Sequence, residues 1–451
     1  MKIFLISPVR RVSKRERKEI EKYVAKLESQ GHKVHWPERD TNQNDKIGLR
    51  ICLDNKKAIE WADEIHIWWQ WTKRRKSTGS LFDFGMAFAL NKPIVLANPN
   101  EVEPTPEKSF NNVLLALHAK SITVVDETQC SILGEFLKTV DLPSAQEEIM
   151  RYQIPDRIMS NLYFAVVAIC HQTTPHKGPA LQGYVDGKLR RGWDYLRKKW
   201  IRAAEQNPTL VSPGSLANIT AQDIEQILFD ARLGSTIFDS QGRASLLNDI
   251  GQKMIELGIN DVWSLYELSH GSLLSQEQPG LIELLSQFAA YKADPVKKKL
   301  FFFLSLMFNH GFWAYTDPEN LGTPVDYHEV RGHLRYGTVK IVSDQLRDKI
   351  LTGQEVTSDE DTLIRRAVFD AIMLVSRISG RTPNDLHYFF WNIFRNCCRR
   401  DETHCNACGQ HPSLPERYQA LSPEKCIFAA TCKNAGSEAK LTDHIVNTDL
   451  Y

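Results

Sequence analysis

The apolar residues of this chain follow two different patterns, and the change between them constrains the fold more than any other feature. Up to about residue 125, short apolar runs such as KIFLIS and KPIVLAN alternate with polar, helix-like stretches. From about residue 150, long helix-periodic segments such as EDTLIRRAVFDAIMLVSRISG dominate. The chain of 451 residues therefore predicts two domains, residues 1–145 and 146–451.

The first domain is predicted to be an α/β domain with a parallel sheet. Its expected strands are KIFLIS, HKVHWP, ADEIHIWWQW, KPIVLAN and, less regularly patterned, SITVVD. The helix RKEIEKYVAKLESQG follows the first strand and is expected to end at Gly31. Strands that alternate with helices form sheets covered on both faces, here of the flavodoxin-like kind. Such sheets bind ligands at the carboxyl ends of their strands. The second domain is predicted to be mostly α-helical.

Bulk properties argue against some classes of protein. No run of about 18 apolar residues exists, so we expect no membrane span. The opening MKIFLISPVRRVSKRER lacks the length and the cleavage site of a signal peptide, which favours a cytoplasmic protein. The formal net charge of +1 indicates no global basic field for nucleic acid, although a local patch could still bind it.

Six of the nine cysteines lie in NCCRRDETHCNACGQHPSLPERYQALSPEKCIFAATC, residues 396–432. Clustered thiols in a cytoplasmic protein bind metal more often than they form disulfides. Spacing alone leaves two sites open, a four-thiolate iron–sulfur cluster and a four-thiolate zinc site. The candidate ligands are Cys398, Cys405, Cys408, Cys426 and Cys432, and zinc would use the last four.

The cysteine region resembles the iron–sulfur loop of the endonuclease III family of DNA glycosylases. The run HYFFWNIFRNCCRRDETHC matches the family's helix and its C-x6-C step at Cys398 and Cys405, and KCIFAATC matches the closing C-x5-C. The resemblance implies a 4Fe-4S cluster held in a loop at residues 397–432. This chain departs from the family by extra residues between Cys405 and Cys426 and by the surplus Cys408.

A second segment, GTPVDYHEVRGHLRYG, resembles the helix-hairpin-helix glycosylase signature at Asp326, His328 and Arg331. Cleavage of an N-glycosidic bond builds positive charge on the sugar, and a nearby carboxylate stabilises that transition state. The resemblance therefore implies that Asp326 is catalytic. Asp326 is also expected to cap a helix that starts at Tyr327, and one residue can serve both purposes.

Two further segments follow the order of that superfamily. NLYFAVVAICHQTT resembles its early helix, which implies that Gln172 faces the space left by an extruded base. DPVKKKLFFFLSLMF lies where bifunctional members carry a nucleophilic lysine, at a spacing closer to archaeal 8-oxoguanine glycosylases, and Lys299 fits best. Burial beside Lys297 and Lys298 would favour loss of its proton. The glycine-rich L-P-G-x-G hairpin that grips DNA in typical members is absent.

The segment STGSLFDFGMAFALNKPIVL resembles the central motif of nucleoside 2-deoxyribosyltransferases. The resemblance implies that Asp83 is the reactive acid, that Gly79 and Ser80 form a phosphate-facing turn, and that Ser7 lies near the sugar. Gly85 and Ala87 would let the helix pack closely on the sheet. The family nucleophile is usually glutamate, and Ser77 replaces an expected acid. These departures favour nucleotide binding over efficient turnover.

Together these patterns predict an N-glycosylase that acts on a damaged or modified base, most simply in DNA, through a transition state stabilised by Asp326. Free modified nucleotides are an alternative substrate. A nucleotide-sensing, nucleic-acid-binding protein without catalysis is the alternative from another class. Two domains that both resemble enzymes of glycosidic bonds suggest modified-base repair, salvage or phage defence.

Overall fold

A computed structural model describes residues 1–10, 12–69, 78–145, 154–175, 178–275, 277–437 and 441–451. The chain forms two compact units, Met1–Val124 and Val125–Tyr451. This division falls earlier than the predicted boundary after residue 145. The segment between the two boundaries carries a helix whose Gly134 packs against Ile378 of the second unit.

The first unit alternates strands and helices, as its sequence predicts. Burial of short apolar runs and the amphipathic pattern between them explain this alternation. Its elements are β1 (Lys2–Ile6), α1 (Lys14–Ser29), β2 (Lys33–His35), α2 (Pro37–Asp40), α3 (Leu49–Trp61), β3 (Glu64–Ile67), α4 (Thr78–Ala89), β4 (Ile94–Leu96) and α5 (Phe110–Ile122), with β5 (Thr123–Val125) at the division.

Four strands of the first unit form a parallel sheet in the order β2-β1-β3-β4. Ile3 and Leu5 of β1 pack with α1 on one face, whereas Phe4 and Ile6 pack on the other face. Because successive side chains of a strand alternate between faces, this pattern means that both faces of the sheet are buried. The prediction of a parallel α/β sheet is confirmed for four of the five expected strands, whereas the fifth, SITVVD, forms β5, which is not part of this sheet.

The second unit is mostly helical, which confirms the coarse prediction for this part of the chain. Its elements are α6 (Glu127–Lys138), α7 (Asp156–Ala168), β6 (Gln182–Val185), β7 (Lys188–Arg191), α8 (Trp193–Gln206), α9 (Pro213–Asn218), α10 (Ala221–Ile227), α11 (Ser240–Leu257), α12 (Trp263–Leu268), α13 (Leu281–Leu285), α14 (Ala289–Lys292), α15 (Lys298–Asn309), α16 (Tyr327–Tyr336), β8 (Val339–Ile341), α17 (Asp344–Thr352), α18 (Ser358–Ser379), α19 (Pro383–Cys397) and α20 (Glu416–Gln419).

The core of the second unit surrounds α7, whose residues 159–168 are all buried. Helix α15 packs against α7, and α16 packs against α18 and α19. The packing on α19 holds the start of α16, where Asp326 lies, beside the helix that leads into the cysteines. Within the described ranges, no helix is both long enough and apolar enough to cross a membrane.

Candidate active site

Asp326 is the N-cap of α16, as its sequence predicts. Its Oδ1 accepts hydrogen bonds from the backbone N–H groups of His328 (2.7 Å) and Glu329 (3.2 Å), which satisfies donors left free at the helix start. Its Oδ2 accepts a third bond from Nε1 of Trp391 at 3.1 Å. The half-buried carboxylate is therefore fixed in direction by donors from two helices.

Glu329 lies directly behind Asp326 and has no exposed surface. Its Oε2 accepts the backbone N–H of Asp326 at 3.3 Å, which completes a capping box. Its Oε1 lies 2.8 Å from Nδ1 of His387 on α19. Burial, and then the negative charge of Asp326, raise the pKa of Glu329 well above its usual range. Burial lowers the pKa of His387 to about 4.

His328 and Arg331 belong to a buried network between α16 and the cysteine loop. The Arg331 guanidinium donates to Asp443 Oδ1 (2.6 Å), to His328 Nδ1 (2.7 Å) and to the backbone oxygen of Cys398 (2.6 Å). Burial, and then the charge of Arg331, lower the pKa of His328 well below its usual range. A neutral imidazole that accepts from a guanidinium orients its neighbours, so both residues are placed to hold α16.

The lysines at the start of α15 are both buried but have different surroundings. Lys299 Nζ donates to the backbone oxygen of Asp449 at 2.6 Å, and burial is the main reason that its pKa falls to about 8. The positive charges of Lys298 and Arg243 add to this lowering. Lys298 Nζ lies 3.4 Å from Sγ of Cys170.

Lys298, and not Lys299, interacts electrostatically with the residues around Asp326. Its positive charge acts on both Glu329 and His387, and the negative charge of Asp326 acts on the same two residues. Lys298 also lies 5.0 Å from the centre of the Phe302 ring. The structure thus places a second buried amine next to the predicted one, and its charge acts on Glu329 and His387.

Gln172 lines a cavity of about 320 Å³ together with Tyr327, the residue that follows Asp326. Its backbone has φ of 44°, a left-handed conformation that is uncommon for a side chain other than glycine, asparagine or aspartate. Its Nε2 donates to Asn447 Oδ1 (3.0 Å) and to the Thr448 backbone oxygen (2.7 Å). The C-terminal segment therefore engages the amide that we expected to face an extruded base. The other lining residues are Thr174, Pro175, Phe238, Glu355, Arg400, His444, Ile445, Val446, Asn447, Thr448 and Tyr451.

Four of the five candidate cysteines line one small cavity, of about 30 Å³. They are Cys398, Cys405, Cys426 and Cys432. The remaining lining is largely apolar, and Arg335 of α16 donates from Nη1 to Sγ of Cys398 at 3.4 Å. Four cysteine sulfurs beside a guanidinium in an apolar pocket are the type of donor set that an iron–sulfur cluster uses once the thiols are deprotonated, and the cluster potential depends on burial and on hydrogen bonds to sulfur.

Cys408, the surplus candidate, is placed differently, because it forms a disulfide with Cys397. Burial raises the pKa of Cys426 to about 12 and that of Cys432 to about 11. As free thiols these two cysteines hold their protons at neutral pH, and a metal would have to displace those protons in order to bind. In their present arrangement these cysteines, like the other His, Cys, Asp and Glu side chains among the described residues, do not form a group of three or more that could hold a metal ion.

In the first unit, Asp83 of α4 ends a chain of polar side chains. Asn55 Nδ2 donates to Asp83 Oδ2, Thr41 Oγ1 donates to Asn55 Oδ1, and His35 Nε2 bonds the same threonine hydroxyl, each at 3.0 Å. Burial raises the pKa of Asp83 to about 6. The carboxyl can therefore exchange a proton near neutral pH, which suits acid–base chemistry.

The other predicted residues of the first unit lie near strand ends or in the first turn of α4. Ser7 follows β1 and accepts from Nε1 of Trp36 at 2.9 Å. Gly79 and Ser80 lie inside the first turn of α4 rather than in a turn before it. Gly85 is exposed, and a Cβ there would meet no atom within 4 Å, so the expectation of close packing at this glycine is wrong. Ser77 and the basic run before it lie outside the described residues.

Sequence reasoning missed Glu329 and Trp391, and it named Lys298 only as a cationic neighbour of Lys299. The D-x-x-E spacing of Asp326 and Glu329 is a capping-box signature and could have indicated the first of these. The contacts of Trp391 and Lys298 join residues that are distant in the chain, and no local pattern indicates them. The search of protein-family models finds no match to this chain, and the search of curated proteins finds none either.

Proposed function

We propose that the second unit is an N-glycosylase that removes a damaged or modified base, with Asp326 as the carboxylate that stabilises the positive charge on the sugar. The observation that carries the proposal is the fixed, half-buried carboxylate of Asp326 at the start of α16. A carboxylate held in this way needs no rearrangement when charge develops, which is the condition for electrostatic catalysis.

The cavity shared by Gln172 and Tyr327 is proposed to receive the base. Its volume of about 320 Å³ lies at the lower end of the range for small-molecule sites, which is roughly 300 to 1,000 Å³. Amide, hydroxyl and aromatic groups line it, as recognition of a flat heterocycle requires. A base from DNA would have to leave its stack, at a cost of a few kcal/mol.

The same cavity supports the alternative substrate, a free modified nucleotide. Asn447 and Thr448 bond Gln172 and line the cavity, and a cavity of this size suits a small molecule. Salt dependence separates the two substrates, because contacts to many DNA phosphates make affinity fall steeply with salt.

An amine could attack the anomeric carbon of the sugar as the N-glycosidic bond breaks and the base leaves, and opening of the sugar ring would then give a Schiff base, which would add lyase activity. Lys299, the residue proposed from the sequence, has the lowered pKa that a nucleophile needs. The charge of Lys298 acts on Glu329 and His387, the two residues on which the charge of Asp326 also acts, so Lys298 is the second candidate. Borohydride trapping of a covalent substrate complex in Lys298→Met and Lys299→Met decides between them, because only the variant that lacks the nucleophile loses trapping.

We also propose that Cys398, Cys405, Cys426 and Cys432 hold a 4Fe-4S cluster, with zinc as the alternative metal. The cluster, when bound, would join these four cysteines beside α16, whose Arg335 donates to Sγ of Cys398. Absorption spectra and iron, sulfide and zinc analysis of anaerobically purified protein test this assignment. Cys398→Ser should lose metal, whereas Cys52→Ser in the first unit is the matched control that should keep it.

For the first unit we propose a flavodoxin-like domain that binds a nucleotide-like ligand near Asp83. The raised pKa of Asp83 and the bond from Asn55 support a role in acid–base chemistry as well as in binding. Isothermal titration with nucleoside monophosphates tests binding, and Asp83→Asn tests whether the acid takes part.

Asp326→Asn tests the main proposal. Asparagine caps helices about as well as aspartate, so the fold should persist while the rate of base release falls at least about 100-fold. Asp239→Asn is the matched control, because Asp239 caps α11 in the same way but lies exposed. Modified duplexes and modified nucleotides are the substrates to assay. If the wild type binds these duplexes or nucleotides but cleaves none of them, the sensor alternative replaces the glycosylase.

A further inference from the structure

The capping box of α16 contains a carboxyl group that the mechanism above does not use. Glu329 is completely buried, which is rare for glutamate, and a buried carboxylate requires a compensating partner. Within the described ranges, its one ion-pair partner is His387, at 2.8 Å. The charged or titratable groups that face it are Asp326 at the helix start, Lys298 on α15 and His387 on α19.

The number of protons on this pair follows from its surroundings. Burial and the negative charge of Asp326 raise the pKa of Glu329 well above its usual range, while burial lowers the pKa of His387 to about 4. Both directions favour the arrangement in which the one proton of the pair lies on the Glu329 carboxyl group, and Oε1 then donates to the neutral Nδ1 of His387, 2.8 Å away. The other carboxyl oxygen, Oε2, accepts the backbone N–H of Asp326.

We propose that Glu329 is a positioning residue that works in its neutral form and holds the backbone of Asp326 without placing a second negative charge beside it. An ionised Glu329 would repel the Asp326 carboxylate from a distance of one helical turn and would compete for the charge of Lys298. The neutral acid keeps the same hydrogen bonds and leaves Asp326 as the negative group at this helix start. This inference rests on the proposed function and deepens it.

The first test measures the protonation state without any substrate. A carboxyl group whose folded-state pKa is raised contributes stability that is present below its ordinary value, near 4.5, and is lost as pH rises through the folded-state value. Glu329→Gln removes that loss. Hydrogen exchange of α16 amides in the full chain should therefore be slower in E329Q than in wild type at pH 7 to 8, and equal in the two near pH 4.

The matched control is Glu360→Gln. Glu360 has the same place in the capping box of α18 but is paired with Lys349 at 2.8 Å and is partly exposed. E360Q should lose protection of α18 at neutral pH, because an ionised, paired glutamate is removed. If E329Q behaves like E360Q, Glu329 is ionised in the fold and the inference is overturned.

The second test uses activity. The wild-type pH–rate profile should decline at alkaline pH as Glu329 ionises, and this decline should be absent from E329Q. A merely structural role would leave the shape of the profile unchanged, and that outcome would contradict the inference. If no substrate is cleaved, the proposed glycosylase fails. The exchange measurement still tests the protonation of Glu329, because it uses no substrate.

Discussion

The buried ion pair between Arg331 and Asp443 should be the strongest single link between α16 and the rest of its network. Arg331 is 2% exposed, and its guanidinium bonds Asp443, His328 and the backbone oxygen of Cys398. Arg331→Met keeps much of the apolar stem but removes these donors. Truncation of one partner of a buried pair costs about 3–5 kcal/mol, because the other charge stays buried.

The expected cost for Arg331→Met lies at the lower end of that range, about 3 kcal/mol. Arg400 also bonds Asp443, and Arg335 also donates to the Cys398 oxygen, so neither acceptor is left without a donor. About 3 kcal/mol corresponds to a roughly 100-fold faster local opening. The double variant R331M/D443N should recover part of the loss, with a coupling free energy of about 1–3 kcal/mol.

Hydrogen exchange measured by mass spectrometry is the suitable assay, because a chain of two compact units need not unfold in one step. Peptides that cover α16 and residues 396–405 should exchange faster in R331M, whereas peptides of α1 should not change. Arg347→Met is the matched control, since Arg347 forms an exposed pair with Asp344 whose loss should cost less than about 1 kcal/mol. Equal effects of R331M and R347M, or additive effects in the double variant, would refute this reasoning.

Three further variants test other parts of the molecule. Asp83→Asn removes a carboxyl group whose pKa rises from 3.8 to about 6 in the fold, so the stability that this group contributes is lost as pH rises through 6. Hydrogen exchange of α4 should therefore show the variant more stable than wild type by up to about 3 kcal/mol at pH 7 and equally stable near pH 4. A variant less stable than wild type at pH 7 would contradict this. Gly332→Ala places a Cβ against the Phe394 ring beside the cysteine cavity and should cost about 1–3 kcal/mol in exchange of α16; an unchanged rate would mean that the helices separate easily. Trp391→Phe removes one donor to Asp326 and should lower the rate of base release about tenfold in the proposed reaction without loss of fold by circular dichroism; an unchanged rate would show that this bond is dispensable.

Much of the fold could be predicted because its signals are local. The four strands of the sheet are short apolar runs bounded by polar residues, and the structure places them at Lys2–Ile6, Lys33–His35, Glu64–Ile67 and Ile94–Leu96. Asp326 could be predicted as a helix cap because capping depends on residues within one turn. The boundary of the second unit was harder to predict, because α6 belongs to that unit through its packing on α18, which no local pattern indicates.

The surroundings of the candidate site could not be predicted from the sequence, because they depend on long-range contacts. Glu329 meets His387 across 58 residues, and Arg331 meets Asp443 across 112. Burial, which raises the pKa of a glutamate, follows from those contacts, and the local sequence carries no signal of it. The separation of Cys408 from the other four candidates also arises in three dimensions, through its bond to Cys397.

Helix α16 connects the carboxyl groups of Asp326 and Glu329 to the cysteine loop, because different side chains of the helix contact each of them. Asp326 and Glu329, three residues apart, meet α19 at the start of the helix. Arg331 and Arg335, four residues apart, both donate to the backbone oxygen of Cys398. A shift of the Cys398 backbone would therefore act on both arginines and, along α16, on the helix start that carries Asp326. A metal in that loop would act on the proposed reaction by fixing the position of Asp326, without contact with the substrate.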